Sequence, residues 1–523
     1  MGIGLPREIV TETDLSYYVD TVLKGISCVI GITEKGPVGV PQLISSEMQF
    51  ERVFGSNLKT SDFPLLCKRA LSYGAVLWVT RTAHYTDITK KTTLTAKAAS
   101  VTLKDMQEEQ ADTIEVSASS QGAWGNNLKI VISESKLDAD NLFTIKVYDD
   151  TALVETLEDL SMDTKNENYI SLVKSSYLKL DDISAEDIAA NLKRPVFGTF
   201  TLSGGADGLE GICDADFIGS ATNSTGFYSF DDIVNAIQLA APGCSSPAVI
   251  SAGIAYCENR GDLLYIAETP FDLTPQEAVD FRLGNGNYSH TAFVSSYGAM
   301  YYPKLKIYDI LRQKERYVSP IGDVLGIMAV NDYLANESYV PAGSRRGKIL
   351  NALGIDVNVG SKGRLSEGNY ICENQINPLC VYEDTGTVLW GALTLQRQAS
   401  LLREVNVRRM LIIIKKTVAA YARAYIHQPN DPRTWREFYR GLEPKFREWK
   451  AQRWFYDYRI FCDQNANTLD EARLNTPESV QRGEFKCQIF IKPVIGIKWV
   501  MVDVAVTRLD ANFDESLTDI LGE

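Results

Sequence analysis

Between residues 404 and 424 the apolar side chains Val405, Met410, Leu411, Ile414, Val418 and Tyr421 recur with Arg and Lys between them. That spacing predicts a helix with a broad buried face. The turn Pro429-Asn-Asp-Pro432 interrupts it, because Pro432 disfavours helix at Asp431. A helical period resumes over 434–452 through Trp435, Phe438, Tyr439, Leu442, Phe446 and Trp449. Over 484–491, Phe485, Cys487, Ile489 and Ile491 alternate with Lys486, Gln488 and Phe490, which is the period of a strand. Helix, turn, helix and strand predict a C-terminal α/β unit over residues 386–498.

Residues 4–24 are polar and β-prone (Ile9, Val10, Thr11, Thr13, Tyr17, Tyr18, Val19) and carry no helical stripe, so 1–24 reads as an extended arm. A short strand at 28–33 closes on Glu34-Lys-Gly-Pro37. Ser45 or Ser46 caps a helix that runs to Phe54 and stops at Gly55. A second helix at 63–73 ends at Gly74, and a strand at 75–80 follows, giving an α/β segment over 25–83. From 84 to 205 the rhythm changes to closely spaced strand signals at 113–116, 128–132 and 143–148, which predicts a β-rich inserted domain. Over 206–385 an α/β pattern returns. It reads as a helix at 230–240 ended by Pro242, strands at 247–255 and 263–269, a helix at 274–283 and a strand at 289–297. Such alternation predicts an open, largely parallel sheet. The valine-rich run at 499–508 begins a second, C-terminal arm over 499–523.

Composition narrows the chemistry. At 523 residues the chain is too long for one core. No apolar run approaches the ~20 residues that span a bilayer, and the N-terminus lacks the blocks of a signal peptide. Nine cysteines, an odd number without a Cys-x-x-Cys pair, predict buried free thiols rather than a metal cluster or disulfide framework. His84, His290 and His427 are far apart and predict structural roles. The net charge of −14 is uneven. Residues 401–460 carry 14 Lys/Arg against 6 Asp/Glu, whereas 91–200 carry 19 acids against 11 bases. Basic helices suggest nucleic acid, but most of these charges lie between apolar aromatics, so no direct DNA contact is expected. Gly343-Ser-Arg-Arg-Gly-Lys-Ile349 fails as a phosphate loop because its glycines are too close and Ile349 replaces the hydroxyl. Gly284-Asn-Gly-Asn-Tyr-Ser289 lacks the third glycine of a dinucleotide fingerprint. No serine sits in a Gly-x-Ser-x-Gly elbow.

Several motifs appear in a set order. They are Lys35-Gly-Pro37, Phe54-Gly55, Gly122-Ala-Trp-Gly-Asn-Asn-Leu128, Tyr301-Tyr-Pro303, Pro320-Ile-Gly-Asp-Val-Leu-Gly-Ile-Met-Ala329, Asn331-Asp332, Pro341-Ala-Gly343 and Ile376-Asn-Pro378. Val388-Leu-Trp-Gly-Ala-Leu-Thr-Leu395, Asn406-Val-Arg-Arg-Met-Leu-Ile-Ile-Ile-Lys415, Gln428-Pro-Asn-Asp-Pro-Arg-Thr-Trp435, Cys462-Asp-Gln-Asn-Ala-Asn-Thr468 and Gly483-Glu-Phe-Lys-Cys-Gln-Ile-Phe-Ile-Lys-Pro-Val494 complete the series. The order resembles that of myophage-type contractile tail sheath proteins.

The resemblance implies a multidomain α/β (α+β) fold. Its parts are a subtilisin-like α/β middle domain, an α/β inner C-terminal domain, a β-rich insertion on the outside, and extended N- and C-terminal arms. It implies a homo-oligomer of stacked hexameric rings around a tail tube, with baseplate and tail terminator proteins as further partners. The sheath would contract to drive the tube through a host envelope for genome delivery. No enzymatic activity, cofactor, metal or membrane insertion is expected, and the location is the virion tail after assembly in the host cytoplasm. Arm strands between subunits fall at Ile9, Val10, Thr11, Tyr17 and Tyr18, and at Val500, Val502, Val504 and Val506. Arg408, Arg409, Lys415, Lys416, Lys445, Arg447 and Lys450 are the candidates to face the tube. The alternatives are a sheath of a phage-tail-like bacteriocin or secretion system, and a tail-associated hydrolase on a subtilisin-like scaffold. The absence of a His in a recognisable active-site motif speaks against the hydrolase.

Overall fold

The computed structural model of the chain describes residues 25–185, 189 and 191–498. The two arms, including all nine arm-strand positions, lie outside the described residues. An eight-stranded sheet organises the rest. Its order is Gly386–Leu389, Ile376–Tyr382, Gly298–Tyr302, Leu264–Glu268, Gln238–Ala240, Ile26–Gly31, Val76–Arg81 and Gln42–Ile44. The six inner strands run parallel, and the two outer ones run antiparallel to their neighbours. Parallel strands are covered on both faces, so they read as near-continuous apolar runs. Val29 packs with the helices Glu47–Phe54, Phe63–Ser72, Ile321–Leu334 and Val405–Arg423, whereas Cys28 and Ile30 meet Pro247–Arg260, Pro275–Leu283 and Leu365–Glu373. Residues 25–83 therefore share one sheet with the later α/β region and supply three of its strands.

Local signals placed several elements correctly. Ser46 caps Glu47–Phe54 by accepting from Gln49 N, and Gly55 ends it at φ 85°. Thr274 and Glu277 form a reciprocal capping box on Pro275–Leu283. Three predictions in the middle region fail. The helix expected at 230–240 is a short turn, Gly226–Phe230, followed by the strand Gln238–Ala240. That strand is buried between two parallel neighbours, so no alternation marks it. The strand expected at 247–255 is the helix Pro247–Arg260, with Pro247 in its first turn and Gly261 in the left-handed conformation at its end. The strand expected at 289–297 lies just beyond, at Gly298–Tyr302.

The chain leaves the main sheet after Arg81 and returns at the helix Asp214–Ile218. In between, Ser100–Lys104, Asp112–Ala118 and Leu178–Asp182 form one antiparallel sheet, and Gly198–Thr201, Leu128–Glu134, Leu142–Asp149 and Ala152–Ser161 form another. They enclose their own core, which includes Ile114, Ile130, Phe143 and Ile145. Arg81, wholly buried at the exit, donates to the main-chain oxygens of Gly36 and Gln121 at 3.1 and 2.5 Å.

Below the main sheet the helix Val405–Arg423 is fastened through charge. Arg409 is fully buried and its Nη2 lies 2.5 Å from Asp332 Oδ2 on Ile321–Leu334. The Gln238 amide, oriented to satisfy both neighbours, turns its oxygen to Arg409 Nη2 and Nε at 3.0 Å and its nitrogen to Ser27 Oγ at 2.6 Å. Removing one partner of such a pair strands the other charge at low dielectric, a loss of ~3–5 kcal/mol. Asp332→Ala is therefore expected to destabilise by that order in urea unfolding. Arg409→Met on the Asp332→Leu background is expected to recover most of the loss, because no buried charge is then left alone.

A second clamp joins the hairpin Leu305–Asp309 and Lys314–Val318 to the start of Phe63–Ser72. Arg316 bridges Asp62 at 2.6 Å and Asp309 at 2.5 Å, and Arg312 reaches Asp309 at 2.7 Å. Burial works to raise the Asp309 carboxyl, but the hydrogen bonds and charges of Arg312 and Arg316 outweigh it and hold it down at about 2. A depressed carboxyl stabilises fully above its unfolded value of about 3.9 and loses that contribution as pH falls towards the folded value. Between pH 4 and pH 2 the wild-type chain should therefore lose more stability than Arg316→Gln, as read by urea midpoints at each pH.

Candidate functional site: the C-terminal helix pair and its open sheet

Two long helices, Val405–Arg423 and Pro432–Ala451, and the antiparallel strands Phe455–Phe461 and Gln488–Pro493 form the C-terminal unit. Asp431 caps the second helix by accepting from Thr434 N at 2.8 Å, which makes Pro432 the first helical residue. Trp435, Phe438, Leu442, Phe446 and Trp449 line its buried face. Their rings interlock with Tyr421, Tyr425 and Phe485 around Phe438, and with Trp454, Phe455 and Tyr458 near Phe446 and Trp449. Gly441 lets the first helix approach. A Cβ built there would lie 1.9 Å from Tyr421 Oη, which is tied to Tyr425 Oη at 2.7 Å. Gly441→Ala is expected to overpack this crossing and destabilise by ~1–3 kcal/mol, measurable as a lower melting temperature without loss of helix content in the folded state.

The strands Phe455–Phe461 and Gln488–Pro493 pair only with each other among the described residues, so both outer edges of this sheet lack a strand. Tyr456 and Phe490 are exposed on it, at 69% and 57%, and Ile497 just beyond is 85% exposed. An unpaired edge bearing exposed rings is a template for strand addition.

The seven basic candidates divide. Arg408, Arg409 and Lys416 do not face outward. Arg409 is in the buried clamp, Arg408 lies 4.1 Å over the Tyr297 ring and donates to Ser296 Oγ, and Lys416 pairs with Asp262 at 3.2 Å while donating to the Val234 and Ala236 carbonyls. The reason is the width of the helix's buried face, which takes in charged positions that find partners on a helix, a strand and the loops at the ends of the main-sheet strands. Lys415 is exposed and donates to Tyr297 Oη at 3.0 Å. Lys445 is half-buried against Glu448 at 2.9 Å. Arg447 and Lys450 are exposed, on Glu443 at 2.9 Å and Asp457 at 2.8 Å.

Folding also assembles a cluster with no sequence signal. His84 Nδ1 lies 3.0 Å from Asp216 Oδ2, and Cys213 Sγ lies 3.5 Å from the same oxygen, although 132 positions separate His84 from Asp216. The carboxylate already accepts from the Cys213 and Tyr85 backbone amides at 2.9 and 3.0 Å, so it acts as a clasp where the insertion joins the main sheet. No helix of the described residues is long and apolar enough to cross a membrane.

The α/β body with this C-terminal unit has the fold seen in sheath tail proteins. Residues 397–507 match the family model for the phage tail sheath C-terminal domain. The tail sheath protein of Enterobacteria phage T4 is 25% identical over 350 residues, covering 64% of this chain and 50% of that protein. The sheath tail protein of Listeria innocua shares the fold with a TM-score of 0.58 at 14% identity, covering 84% of this chain and 89% of its own. The helical sheath of the anti-feeding prophage in its contracted state gives 0.55 at 13% identity, over 96% and 99% of the two chains. The chain is thus similar to tail sheath proteins in the sequence of its C-terminal domain and in fold. Its matched stretches span from 29% to 50% of the length of the curated relatives.

Proposed function

We propose that this chain is the repeating subunit of a contractile tail sheath. The observation that carries the reading is the match of residues 397–507 to the sheath C-terminal domain, together with a two-stranded sheet that has no third strand among the described residues. In this reading subunits stack as hexameric rings around a tail tube. Residues 8–20 of one neighbour and 499–509 of another add strands to the open edges, so rings stay linked while they slide. Main-chain hydrogen bonds give such links strength, and the segments leading to them flex. Contraction needs no nucleotide, because the same subunits have two packings of different free energy. The role is mechanical and not enzymatic, and the middle α/β region is a subtilisin-like scaffold without the hydrolase's site. Lys415, Arg447 and Lys450 are the outward cations left to meet an acidic tube. Each exposed pair is worth ~0–1 kcal/mol, weak enough to release on firing.

Kinship to the T4 protein favours a phage tail, located in the virion and used for genome delivery. The fold match to the anti-feeding prophage sheath supports the second reading, a sheath of a related injection machine. Baseplate and terminator proteins are the expected end partners in both. Electron microscopy of the purified chain at several concentrations, with and without a tube, should show hollow ring-stacked cylinders. Deleting residues 1–20 should abolish them while leaving the monomer folded. Compact monomers under all salt conditions, with a tube supplied, would overturn the sheath reading.

A further inference from the structure

Away from the C-terminal unit's two-stranded sheet, three arginines converge on one cleft with no ion pair to any of them among the described residues. Arg282 ends the helix Pro275–Leu283 and is 1% exposed. Its Nη2 donates to Gln375 Oε1 at 2.8 Å and to the Leu395 carbonyl at 3.1 Å, but its buried Nε has no partner among the described residues. Arg403, in the turn Leu401–Arg403, reaches only the main-chain oxygen of Glu373, at 3.5 Å, and its Nε is likewise buried without a partner. Arg397, exposed on the preceding loop, completes the rim. The three line a cleft of about 560 Å³ together with Asn285, Asn374 and Gln375. Arg69, Arg316 and Arg409 elsewhere in the fold each sit on a carboxylate. None of these three does so among the described residues, and the Glu373 side chain on the rim is exposed.

A buried guanidinium without a counter-charge is costly. Burial, with the nearby charges of Arg397 and Arg403, pushes the Arg282 guanidinium down to about 10. An anion in the cleft would relieve that and satisfy the two idle Nε–H donors. The forked, planar donors of arginine match carboxylate and phosphate oxygens. We propose that this cleft is an oxyanion-binding site, in which Arg282, Arg397 and Arg403 hold a carboxylate or phosphate group. The source is either a free anion or an acidic side chain of another polypeptide, which the chain's own net charge of −14 makes abundant on a second copy.

The test is the melting temperature of the full chain in inorganic phosphate and with a polyglutamate peptide, each against sodium chloride of equal ionic strength. It is run on wild type, on the double variant Arg397→Gln/Arg403→Gln, on Arg397→Gln alone, and on Arg447→Gln as a distant control. A bound anion stabilises the folded state by mass action. At least one probe should raise the melting temperature of wild type and control by several degrees. Arg397→Gln should lose part of that rise, and the double variant most of it. A response to phosphate alone assigns a free anion, and a stronger response to the peptide assigns a polypeptide carboxylate. The proposal is overturned if neither probe exceeds chloride, or if the arginine variants respond as wild type does. Neither result depends on whether the chain forms cylinders.

Discussion

The buried contact of Arg409 with Asp332 and Gln238 governs how the C-terminal helices sit on the rest of the molecule. A guanidinium wholly out of water tolerates few arrangements, because every shift of the helix removes an acceptor that water cannot replace. Here the acceptors come from the helix Ile321–Leu334 and the central strand Gln238–Ala240, and the strand is tied onward to Ser27. One side chain thus couples the C-terminal unit to the middle of the eight-stranded sheet. Apolar packing around Val405, Met410 and Ile413 supplies most of the buried area, but it would accept small slips that the ion pair does not.

The proposed sheath role would need a body that moves as one piece and edges that exchange partners. The first requirement is met by two cores on opposite faces of one sheet, with clamps such as Arg316 between Asp62 and Asp309 closing its margins. The second would be met beside the C-terminal helices, where Phe455–Phe461 and Gln488–Pro493 pair only with each other among the described residues. The insertion carries its own core and is held by Arg81 and the His84–Asp216 clasp at its neck. Its folding is therefore largely separable from that of the sheet it interrupts.

Legibility followed the range of the interactions involved. Caps act within one turn, so Ser46 and Gly55 could be read directly and mark the ends of their helix within a residue or two. The strands over 84–205 were legible where one face is wet and the pattern alternates, as in Leu128–Glu134. Residues 238–240 were misread because that strand is buried on both faces, where the period vanishes. Residues 247–260 were misread because the exposed positions at the start of the helix, Ala248, Ser251 and Ala255, are small and contrast little with its buried face, so the run fits helix and strand alike. Arg408, Arg409 and Lys416 of the first long helix were misread for a related reason. Charge in a sequence says nothing about whether a carboxylate from residue 332 or 262 will arrive to cover it.

By itself the sequence determined the α/β class, closely spaced strands between residues 113 and 148, the helix–turn–helix–strand order of the C-terminal unit and, through ordered motifs, its resemblance to tail sheath proteins. These depend on local periodicity and on residue order, both of which survive without coordinates. Only the tertiary structure decided that residues 25–83 join the later strands in one sheet. It likewise decided that Arg408, Arg409 and Lys416 face inward while Arg447 and Lys450 face water, and that Arg282, Arg397 and Arg403 meet in one cleft. The physical reason is common to all three. Burial and charge compensation are properties of residues far apart in the chain, and they exist only after the backbone has brought those residues together.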